Sequence, residues 1–352
     1  GNSTSSNIPL AVGSCTVTPP SAPCWQDISA SKNSYNIGIK DNGTLWAWGS
    51  NDLGQLGDGT TTARSIPVQI GTATDWAKIS TGYYNSVAIK TNGTLWTWGA
   101  NESGQLGNGT TAASQVPIQV GTETNWVSCT QGASFTLAIK SNGTLWAWGR
   151  GSEGQLGNGT FAGSNVPIQI GVATNWTKVS AGLEQTVAMK SDGTLWSFGK
   201  GTNGELGLGI GVTSVGSPQQ ITAITNCVDF SLLYQHVIVL RSNGSIWSWG
   251  KNYSGELGIN TTTNSFVPTQ IGTDTNWASI STGVEHSMAL KTNGTLWAWG
   301  RNIYGNYGDG TTTQSNVPVQ IGTQTNWTKV IAAFTYTIGF NTSTGLNVWG
   351  YN

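Results

Sequence analysis

Short runs of alternating apolar and polar residues, separated by turn residues, recur along the whole chain. In one copy the segments WAKIS, SVAIK, TLWTWG and VPIQV follow one another between residues 76 and 120. Alternation with a period of two is typical of half-buried β-strands, and none of these segments has the spacing of an amphipathic helix. The pattern therefore predicts four short strands per copy and an all-β fold.

The turn chemistry assigns a place to each predicted strand. The second strand runs into Asn92-Gly93, a strong hairpin signal because both central residues of a type I′ turn need a positive φ. In the third strand Trp96 and Trp98 are two positions apart and share one face. The fourth strand contains Pro117, which cannot donate a ladder hydrogen bond and belongs at an edge. We therefore predict that the fourth strand is the outer one.

The four-strand unit repeats seven times, with a period set by a Trp-Gly pair that is once Phe-Gly. The glycine of this pair is found at Gly49, Gly99, Gly149, Gly199, Gly250, Gly300 and Gly350. The step is 50 residues, once 51, and no linker separates the copies. Antiparallel four-stranded units repeated in this way predict a closed, seven-bladed β-propeller that forms one domain over residues 1–352, with repeats from residue 25 onward.

The seventh unit lacks a fourth strand, and a matching segment lies at the N-terminus. SSNIPLAVG aligns with QSNVPVQIG at residues 314–322, which places Ile8–Val12 in the fourth-strand position. We predict that residues 8–12 complete the last blade and remove two exposed edges. A Pro-rich insertion follows at residues 13–24, and a disulfide between Cys15 and Cys24 would hold it in an oxidising compartment.

The frame W..I..G..xS.A...NGTLW.WG.N..GQLG.GT......P.Q resembles the regulator of chromosome condensation repeat over the whole chain. The resemblance implies a seven-bladed propeller used for protein recognition. Members include a nuclear guanine-nucleotide exchange factor, a plant ultraviolet-B receptor that senses light through Trp residues, and a secreted bacterial inhibitor of β-lactamases. The even spacing leaves no room for the projecting insertion of the exchange factor, and no Trp follows the first-loop glycine as it does in the light receptor.

Composition narrows the function classes further. Only 9% of residues are charged and the net charge is −1, so the basic excess that phosphate backbones require is missing. No apolar run of 18 residues occurs, and we expect neither a nucleic-acid partner nor a membrane span. Low charge, richness in Thr and Asn, the expected disulfide and the missing initial Met favour an extracellular, cell-surface or virion-surface location.

Most of the 18 Trp residues are predicted to be structural, because packing between neighbouring sheets explains a residue in every blade better than sugar stacking does. The six in the third predicted strands of the first three units are Trp46, Trp48, Trp96, Trp98, Trp146 and Trp148. The Gly-rich loops are followed by no helix, and their Asp, present at Asp58 and Asp309, is replaced by Asn or Leu in other units, so no cofactor or metal is predicted.

Enzymatic chemistry finds no support in the sequence. The two histidines, His236 and His286, occupy the same loop position in consecutive units, without a nucleophile or paired carboxylates beside them. Ser, Cys and metal catalysis all lack a complete set of residues. We therefore assign no catalytic residue and expect that the protein is not an enzyme.

Variation between the copies is concentrated in two loops. The first-to-second and third-to-fourth connections leave each antiparallel sheet on the same side, here called the loop face. Aromatic and charged residues, which are favoured at interface centres, accumulate there, unless they are neutral loop residues. The candidate partner-binding residues are Tyr83, Tyr84, Phe135, Glu184, Tyr234, Tyr253, Arg301, Tyr304, Phe334 and Tyr336.

These observations favour a non-enzymatic extracellular binding module that recognises a protein or a glycan through the loop face. The alternative is a structural subunit of an extracellular filament, surface layer or virion, which would contact copies of itself. A guanine-nucleotide exchange factor is the least favoured of the three.

Overall fold

A computed structural model describes residues 6–11, 24–31 and 33–351 of the chain. These residues form 28 strands and no helix. The strands pair into seven four-stranded antiparallel sheets, each built from strands that follow one another in sequence except for the sheet that contains the N-terminal strand. The predicted all-β fold, a seven-bladed β-propeller, is therefore confirmed.

Contacts between Cα atoms divide the described residues into two compact units. Unit 1 takes in residues 24–200 and Ser214–Gln220, and unit 2 takes in residues 6–11, Gly201–Thr213 and 221–351. The chain begins with β1 (Ser6–Ala11), which belongs to unit 2. The prediction of one domain over residues 1–352 stays a prediction.

Unit 1 contains the first four blades, and the strands of each blade lie side by side in the order in which they occur in the chain. Blade 1 is β2 (Trp25–Ala30), β3 (Tyr35–Lys40), β4 (Leu45–Gly49) and β5 (Arg64–Gln69). Blade 2 is β6 (Trp76–Thr81), β7 (Asn85–Lys90), β8 (Leu95–Gly99) and β9 (Ser114–Gln119). Blade 3 is β10 (Trp126–Gln131), β11 (Phe135–Lys140), β12 (Leu145–Gly149) and β13 (Ser164–Gln169). Blade 4 is β14 (Trp176–Ala181), β15 (Gln185–Lys190), β16 (Leu195–Lys200) and β17 (Ser214–Gln220).

Unit 2 contains the other three blades. Blade 5 is β18 (Cys227–Leu232), β19 (His236–Arg241), β20 (Ile246–Gly250) and β21 (Ser265–Gln270). Blade 6 is β22 (Trp277–Thr282), β23 (His286–Lys291), β24 (Leu296–Gly300) and β25 (Ser315–Ile321). Blade 7 is β26 (Trp327–Ala332), β27 (Tyr336–Asn341) and β28 (Gly345–Gly350), to which β1 is added as the fourth strand.

The hairpin between the second and third strands follows the chemistry of the Asn-Gly pair. In blade 1 the N–H of Gly43 donates to the carbonyl oxygen of Lys40 at 2.9 Å, and Gly43 has a φ of 73°. The Asn42 Oδ1 atom accepts from the backbone N–H and the hydroxyl of Thr44, at 3.2 and 2.7 Å. The turn is thus held by both its backbone and its side chains.

The N-terminal strand completes blade 7, as the alignment of the chain ends predicts. β1 pairs antiparallel with β28 and begins at Ser6, two residues before the predicted start, because Ser6 lies opposite Gly350. The fourth strand of blade 2 begins in the same way, with a serine opposite the Trp-Gly glycine. Asn7 Nδ2 donates to the carbonyl oxygen of Gly310 and Gly310 N–H donates back to that of Asn7, both at 2.7 Å. Blade 6 therefore holds β1 in place.

The predicted insertion at residues 13–24 and the predicted Cys15 to Cys24 disulfide fall largely outside the described residues. Cys15 lies outside them, so the disulfide stays a prediction. Cys129 and Cys227 are free thiols, and burial raises the pKa of Cys129 to about 12 and that of Cys227 to about 11. Both thiols are therefore protonated and unreactive at neutral pH.

The Trp residues of the third strands divide into two groups. Trp98 and Trp148 are fully buried, and each donates its indole N–H to a backbone carbonyl oxygen in the loop of the preceding blade. Those of the other group are half-buried and donate to the hydroxyl of the Thr or Ser two residues earlier; they include Trp46, Trp96 and Trp146. Trp48 is half-buried and packs against Trp25, with ring centroids 5.2 Å apart. Local and inter-blade contacts thus engage all six.

Candidate functional site

The candidate residues fall into three groups in the structure. Tyr83, Tyr84 and Glu184 are half-buried in the loops of unit 1. Two candidates, Phe135 and Tyr336, are buried at the first positions of second strands. The remaining five belong to unit 2 and lie in loops of blades 5, 6 and 7; they are Tyr234, Tyr253, Arg301, Tyr304 and Phe334.

Phe135 and Tyr336 do not belong to the loop face, which corrects the sequence assignment. Phe135 is fully buried and lies opposite Gly149 in the ladder, with its ring packed over Gly132. Tyr336 takes the same ladder position opposite Gly350. The loop ends one residue earlier than the alignment suggests, and successive strand residues point to opposite faces, so this position faces the core.

In unit 1, one acid joins two cations. Glu184 accepts from Arg150 Nη1 at 3.1 Å and from Lys200 Nζ at 2.7 Å. The rings of Tyr83 and Tyr84 lie 5.1 Å apart in the loop between the first and second strands of blade 2. The candidates of unit 1 therefore form two separate small groups in different blades.

In unit 2 an acid also pairs with two cations, and here the cations lie against aromatic rings. Glu285 forms ion pairs with Lys251, at 3.0 Å, and with Arg301. Burial favours the neutral acid, but hydrogen bonds from Arg301 and Lys251 outweigh it and hold the pKa of Glu285 below its ordinary value. The carboxylate is therefore ionised at neutral pH and fixes both cations. With one acid and two bases, the group carries a formal charge of +1.

Each cation of this group also contacts tyrosine rings. Lys251 Nζ lies 5.9 Å from the ring centre of Tyr234 and 5.5 Å from that of Tyr253. Arg301 Cζ lies 5.6 Å from the ring of Tyr304. Distances of this size allow a cation–π attraction, which further orders the side chains. These five residues, with Glu285 and Phe334, are here called the Glu285 patch.

The Glu285 patch remains open to solvent at its aromatic residues. Tyr253 is 64% exposed and Phe334 is 40% exposed. Tyr351, at the end of the described chain, stacks beside Tyr304 with ring centroids 5.6 Å apart and is 55% exposed. Large exposed rings next to an ordered Arg are typical of binding surfaces.

A small pocket opens within the patch. It has a volume of about 40 Å³ and is lined by Val284, Glu285, His286, Arg301, Tyr304, Asn306, Phe334 and Thr335. Three of the candidates, Arg301, Tyr304 and Phe334, are thus brought together around one cavity. The sequence interpretation missed Asn306, although it is the one Asn among Gln and Glu residues in its column, where Gln55, Gln105, Gln155, Glu205 and Glu256 are the equivalents.

The two histidines lie beneath this surface and join consecutive blades. His236 Nε2 is 2.9 Å from the Ser287 hydroxyl, and His286 Nε2 is 3.1 Å from the Thr337 hydroxyl. Both rings are fully buried, and burial lowers the pKa of His236 to about 3 and that of His286 to about 4. They are therefore neutral at physiological pH and serve as hydrogen-bonding groups of the core.

Within the described residues, no group of three or more His, Cys, Asp or Glu side chains is arranged to hold a metal ion. No helix in the same part of the chain has the length and apolar character needed to cross a bilayer.

Comparison with known proteins identifies relatives of this fold. The family described as RCC1-like domain matches residues 45–352, and the regulator of chromosome condensation (RCC1) repeat matches residues 25–55. No curated protein matches the chain by sequence. Yeast RCC1 (Prp20), solved bound to Kap60, is 20% identical with a TM-score of 0.80, over 93% of this chain and 80% of that one.

Two further solved structures are similar. Prp20p from Saccharomyces cerevisiae, solved in work on its binding to Gsp1p and histones, is 20% identical with a TM-score of 0.77, over 93% of this chain and 82% of that one. Human WBSCR16 is 19% identical with a TM-score of 0.79, over 97% of this chain and 94% of that one. At this level of identity the likeness shows the fold alone.

Proposed function

The chain belongs to the RCC1-like domain family, and from this premise we propose that it is a protein-recognition module that binds its partner through the Glu285 patch. The observation that carries the proposal is the double pairing of Glu285 with Lys251 and Arg301, each of which lies against tyrosine rings. The side chains are thus ordered before a partner arrives, which lowers the entropy cost of binding.

The chemistry of the patch suits a protein partner. Tyr and Arg are enriched among the residues that dominate interface energies, and here they lie beside one another with their charges already compensated. Yeast RCC1 has been solved with the protein Kap60 and studied for binding to Gsp1p and histones, so protein binding has a precedent in this fold. A fold hosts many functions, and the precedent supports the class of partner only.

Capture of a partner by matched variants tests the proposal. Tyr253→Ala combined with Tyr304→Ala and Phe334→Ala removes the exposed rings of the patch without touching the core. A control carries Ile66→Ala, Val116→Ala and Val166→Ala, three exposed residues of fourth strands in unit 1. The patch variant should lose the captured protein while its melting temperature stays within a few degrees, and the control should keep it.

The same experiment separates a protein partner from a glycan, since tyrosine rings also stack on sugars. Treating the captured material with a glycosidase should leave binding intact. Release by the glycosidase, or equal capture by the two triple variants, would contradict the proposal.

Self-assembly is the second candidate function, and the fourth strands favour it. An exposed apolar residue precedes the strand proline in most blades, at Ile8, Ile66, Val116, Val166, Val267 and Val317. Repeated apolar residues on outer strands are a common means of association between copies. Light scattering during size-exclusion chromatography would show a mass that rises with concentration; a constant monomer mass would exclude this candidate.

We propose an extracellular or surface location, supported by the low charge and by the expected Cys15 to Cys24 disulfide. A non-reducing peptide map tests the disulfide directly, and two free thiols there would count against an oxidising compartment. Guanine-nucleotide exchange is the least favoured function, because the even repeat spacing provides no projecting insertion.

A further inference from the structure

A hydrogen bond in the Gly-rich loop recurs in five blades. In each, a side-chain oxygen of Gln or Glu accepts from the backbone N–H two residues earlier. The bonds are Gln55 to Leu53 at 2.9 Å, Gln105 to Ser103 at 2.9 Å, Gln155 to Glu153 at 2.8 Å, Glu205 to Asn203 at 2.7 Å and Glu256 to Ser254 at 2.7 Å. In blades 4 and 5 the accepting group is a carboxyl, so this position of the loop accommodates one.

Blade 6 lacks this hydrogen bond because its equivalent residue is Asn306, whose side chain is shorter by one methylene. Among the described residues, none accepts from the Tyr304 N–H. The pocket of about 40 Å³ in the Glu285 patch is lined by both of these residues. The carboxyl group that blades 4 and 5 supply from their own chain therefore has no counterpart in blade 6.

The side chains of Asn306 and Arg301 offer hydrogen-bond donors to this pocket. Asn306 is only 2% exposed, and its Oδ1 atom is enclosed by the protein. The Nδ2 group is the end that stays accessible, and it donates to no described residue. Arg301 lines the same pocket and uses Nη1 to bond Glu285, which leaves other guanidinium N–H groups available. A ligand that accepts hydrogen bonds therefore fits the pocket.

The charge of the patch favours an anion among such ligands. Lys251 and Arg301 share the single carboxylate of Glu285, so one positive charge is not compensated. His286, which also lines the pocket, is neutral because burial lowers its pKa to about 4. An anion in the pocket would thus complete the neutralisation of two cations by two acids.

Blade 5 shows how a carboxyl group behaves next to the equivalent base. Burial raises the pKa of Glu256 to about 7, and Lys251, the equivalent of Arg301, opposes this shift. Glu256 is fully buried and its Oε1 atom has no hydrogen-bond partner among the described residues. The pocket of blade 6 opens at the surface and offers donors from two side chains, so a carboxylate there keeps its charge at a lower desolvation cost.

We propose that this pocket binds one carboxylate of the partner protein, from an Asp or Glu side chain or from the end of its chain. The carboxylate accepts hydrogen bonds from Asn306 Nδ2 and from the guanidinium of Arg301. It takes the place that the carboxyl of Glu205 has in blade 4, and the ring of Phe334 covers the carbon atoms next to it. That the carboxylate belongs to a protein rests on the proposed function; the chemistry of the pocket does not.

Other ligands fit the pocket less well. A neutral amide has an accepting oxygen but no charge to attract Arg301. An ammonium group has the same sign of charge as Arg301 and cannot accept from Asn306 Nδ2. A phosphate monoester carries a second negative charge, which the ionised Glu285 in the wall of the pocket repels.

Titration with acetate tests the pocket without the partner. Amide proton–nitrogen correlation spectra of the purified chain should show a saturable shift of the Asn306 side-chain NH₂ signals, with a Kd on the order of millimolar for so small a ligand. Acetamide has the same size without the charge and should bind at least about fivefold more weakly. Propionate and N-acetylglycine, compared in the same way, distinguish a side-chain carboxylate from the end of a chain.

Three variants locate the binding site. Asn306→Gln fills the pocket with a longer side chain; it should fold, because three other blades carry Gln there, and should abolish the response of the neighbouring Tyr304 amide to acetate. Arg301→Gln removes the charge and should weaken acetate binding at least about fivefold. Arg150→Gln is the matched control, since it alters the same position in blade 3 and breaks the pairing with Glu184, and it should leave acetate binding unchanged.

The proposal is overturned if acetate produces no saturable shift, which would mean that water alone occupies the pocket. It is also overturned if acetamide binds as tightly as acetate, or if Asn306→Gln or Arg301→Gln binds acetate like the unaltered chain. Tighter binding of glucuronate than of acetate would overturn it in favour of an acidic glycan. Partner capture that survives the loss of the patch rings, with acetate binding intact in the unaltered chain, would instead contradict the proposed function alone.

Discussion

The indole N–H of Trp98, in blade 2, donates to the backbone carbonyl oxygen of Gln55, in the loop of blade 1, at 2.8 Å. The same bond is found in both units, at distances from 2.7 to 3.0 Å, for Trp148 and Gln105, Trp249 and Glu205, Trp299 and Glu256, and Trp349 and Asn306. The buried Trp of one blade therefore binds the Gly-rich loop of the blade before it. In blade 6 the residue that accepts this hydrogen bond is Asn306, which also lines the candidate pocket.

Replacing Trp98 by Phe should destabilise the protein by about 1–3 kcal/mol. The change removes the hydrogen bond to Gln55 and leaves most of the buried ring area in place. Blade 4 already carries Phe198 at the equivalent position, so the fold accommodates the smaller ring. Chemical denaturation measures the change in the free energy of unfolding.

Trp46→Phe is the control for this prediction. The Trp46 indole is half-buried, and its N–H donates a hydrogen bond to Thr44 in the same hairpin, not to a neighbouring blade. This variant should cost less than Trp98→Phe. If the two variants lose the same free energy of unfolding, the hydrogen bond between blades stabilises the protein no more than the hydrogen bond within the hairpin.

The loop glycine beside the buried Trp should not tolerate a side chain. A Cβ on Gly57 would lie 2.7 Å from Trp98 Nε1, and the residue has a φ of 79°. Gly57→Ala therefore combines a steric clash with a left-handed backbone, and we expect a loss of about 2–5 kcal/mol. Gly71→Ala is matched in φ, at 61°, but has no atom within 4 Å of the added Cβ, and should cost only about 1–2 kcal/mol.

The difference between these two glycine variants isolates the packing against the indole ring. Thermal melts and denaturant titrations should place Gly57→Ala clearly below Gly71→Ala. If both variants unfold at the same denaturant concentration, the loop moves away from Trp98 at little cost and the packing argument fails.

Glu256 should make stability fall as the pH rises. Burial raises its pKa to about 7 from an ordinary 4.5, with Lys251 opposing the shift and Glu285 adding to it. An acid whose pKa is raised in the folded state contributes stability below its unfolded pKa, and this is lost as the pH rises from about 4.5 to 7. Glu256→Gln, the residue of blades 1 to 3, should stabilise the protein at pH 8 by on the order of 3 kcal/mol.

Glu205→Gln is the matched control at the same position in blade 4. Both carboxylate oxygens of Glu205 accept hydrogen bonds, one from the Asn203 N–H and the other from Asn203 Nδ2 and Gln235 Nε2. The control should therefore gain nothing at pH 8. Denaturant titrations at several pH values give the free energy of unfolding as a function of pH. If this dependence is the same for Glu256→Gln and for the unaltered chain, the prediction is refuted.

The buried histidines should act in the opposite direction. The pKa of His286 falls to about 4 from 6.5 because the ring is buried, although Glu285 partly opposes the shift. A base with a lowered folded pKa contributes stability above its unfolded pKa, and this is lost as the pH falls from about 6.5 toward 4. His286→Gln, which copies Gln185 of blade 4, should make the acid loss of stability shallower.

Its test is the slope of the free energy of unfolding against pH between pH 6.5 and 4.5. At neutral pH the variant should lose about 1 kcal/mol with the bond to Thr337. An unchanged slope would mean that His286 gains its proton without disturbing the core.

Much of the fold follows from local chemistry that a single sequence reveals. Asn42-Gly43 specifies its hairpin, and the two-residue alternation specifies the strands, because both effects act over a few neighbouring residues. Repetition then makes the seven copies visible. The place of β1 was also predicted, since the alignment of Asn7 with Asn316 identifies the fourth-strand position.

The site was less predictable, because it depends on where strands start and on contacts across blades. A shift of one residue at the loop boundary turns Phe135 from the loop face into the core. The joining of Lys251 and Arg301 by Glu285 involves residues far apart in sequence, and no local pattern signals it. Asn306 was visible as a variant in its column, but the missing hydrogen bond to Tyr304 appears only in three dimensions.

Hydrogen exchange of the chain with and without its captured partner tests the central claim most directly. The account predicts slower exchange on binding at the backbone amides of residues 233–235, 251–256, 283–286, 301–306 and 334–336, which carry the Glu285 patch, with the loops around Tyr83 and Glu184 unchanged. Slower exchange confined to the fourth strands, or centred on the loops of unit 1, would contradict it.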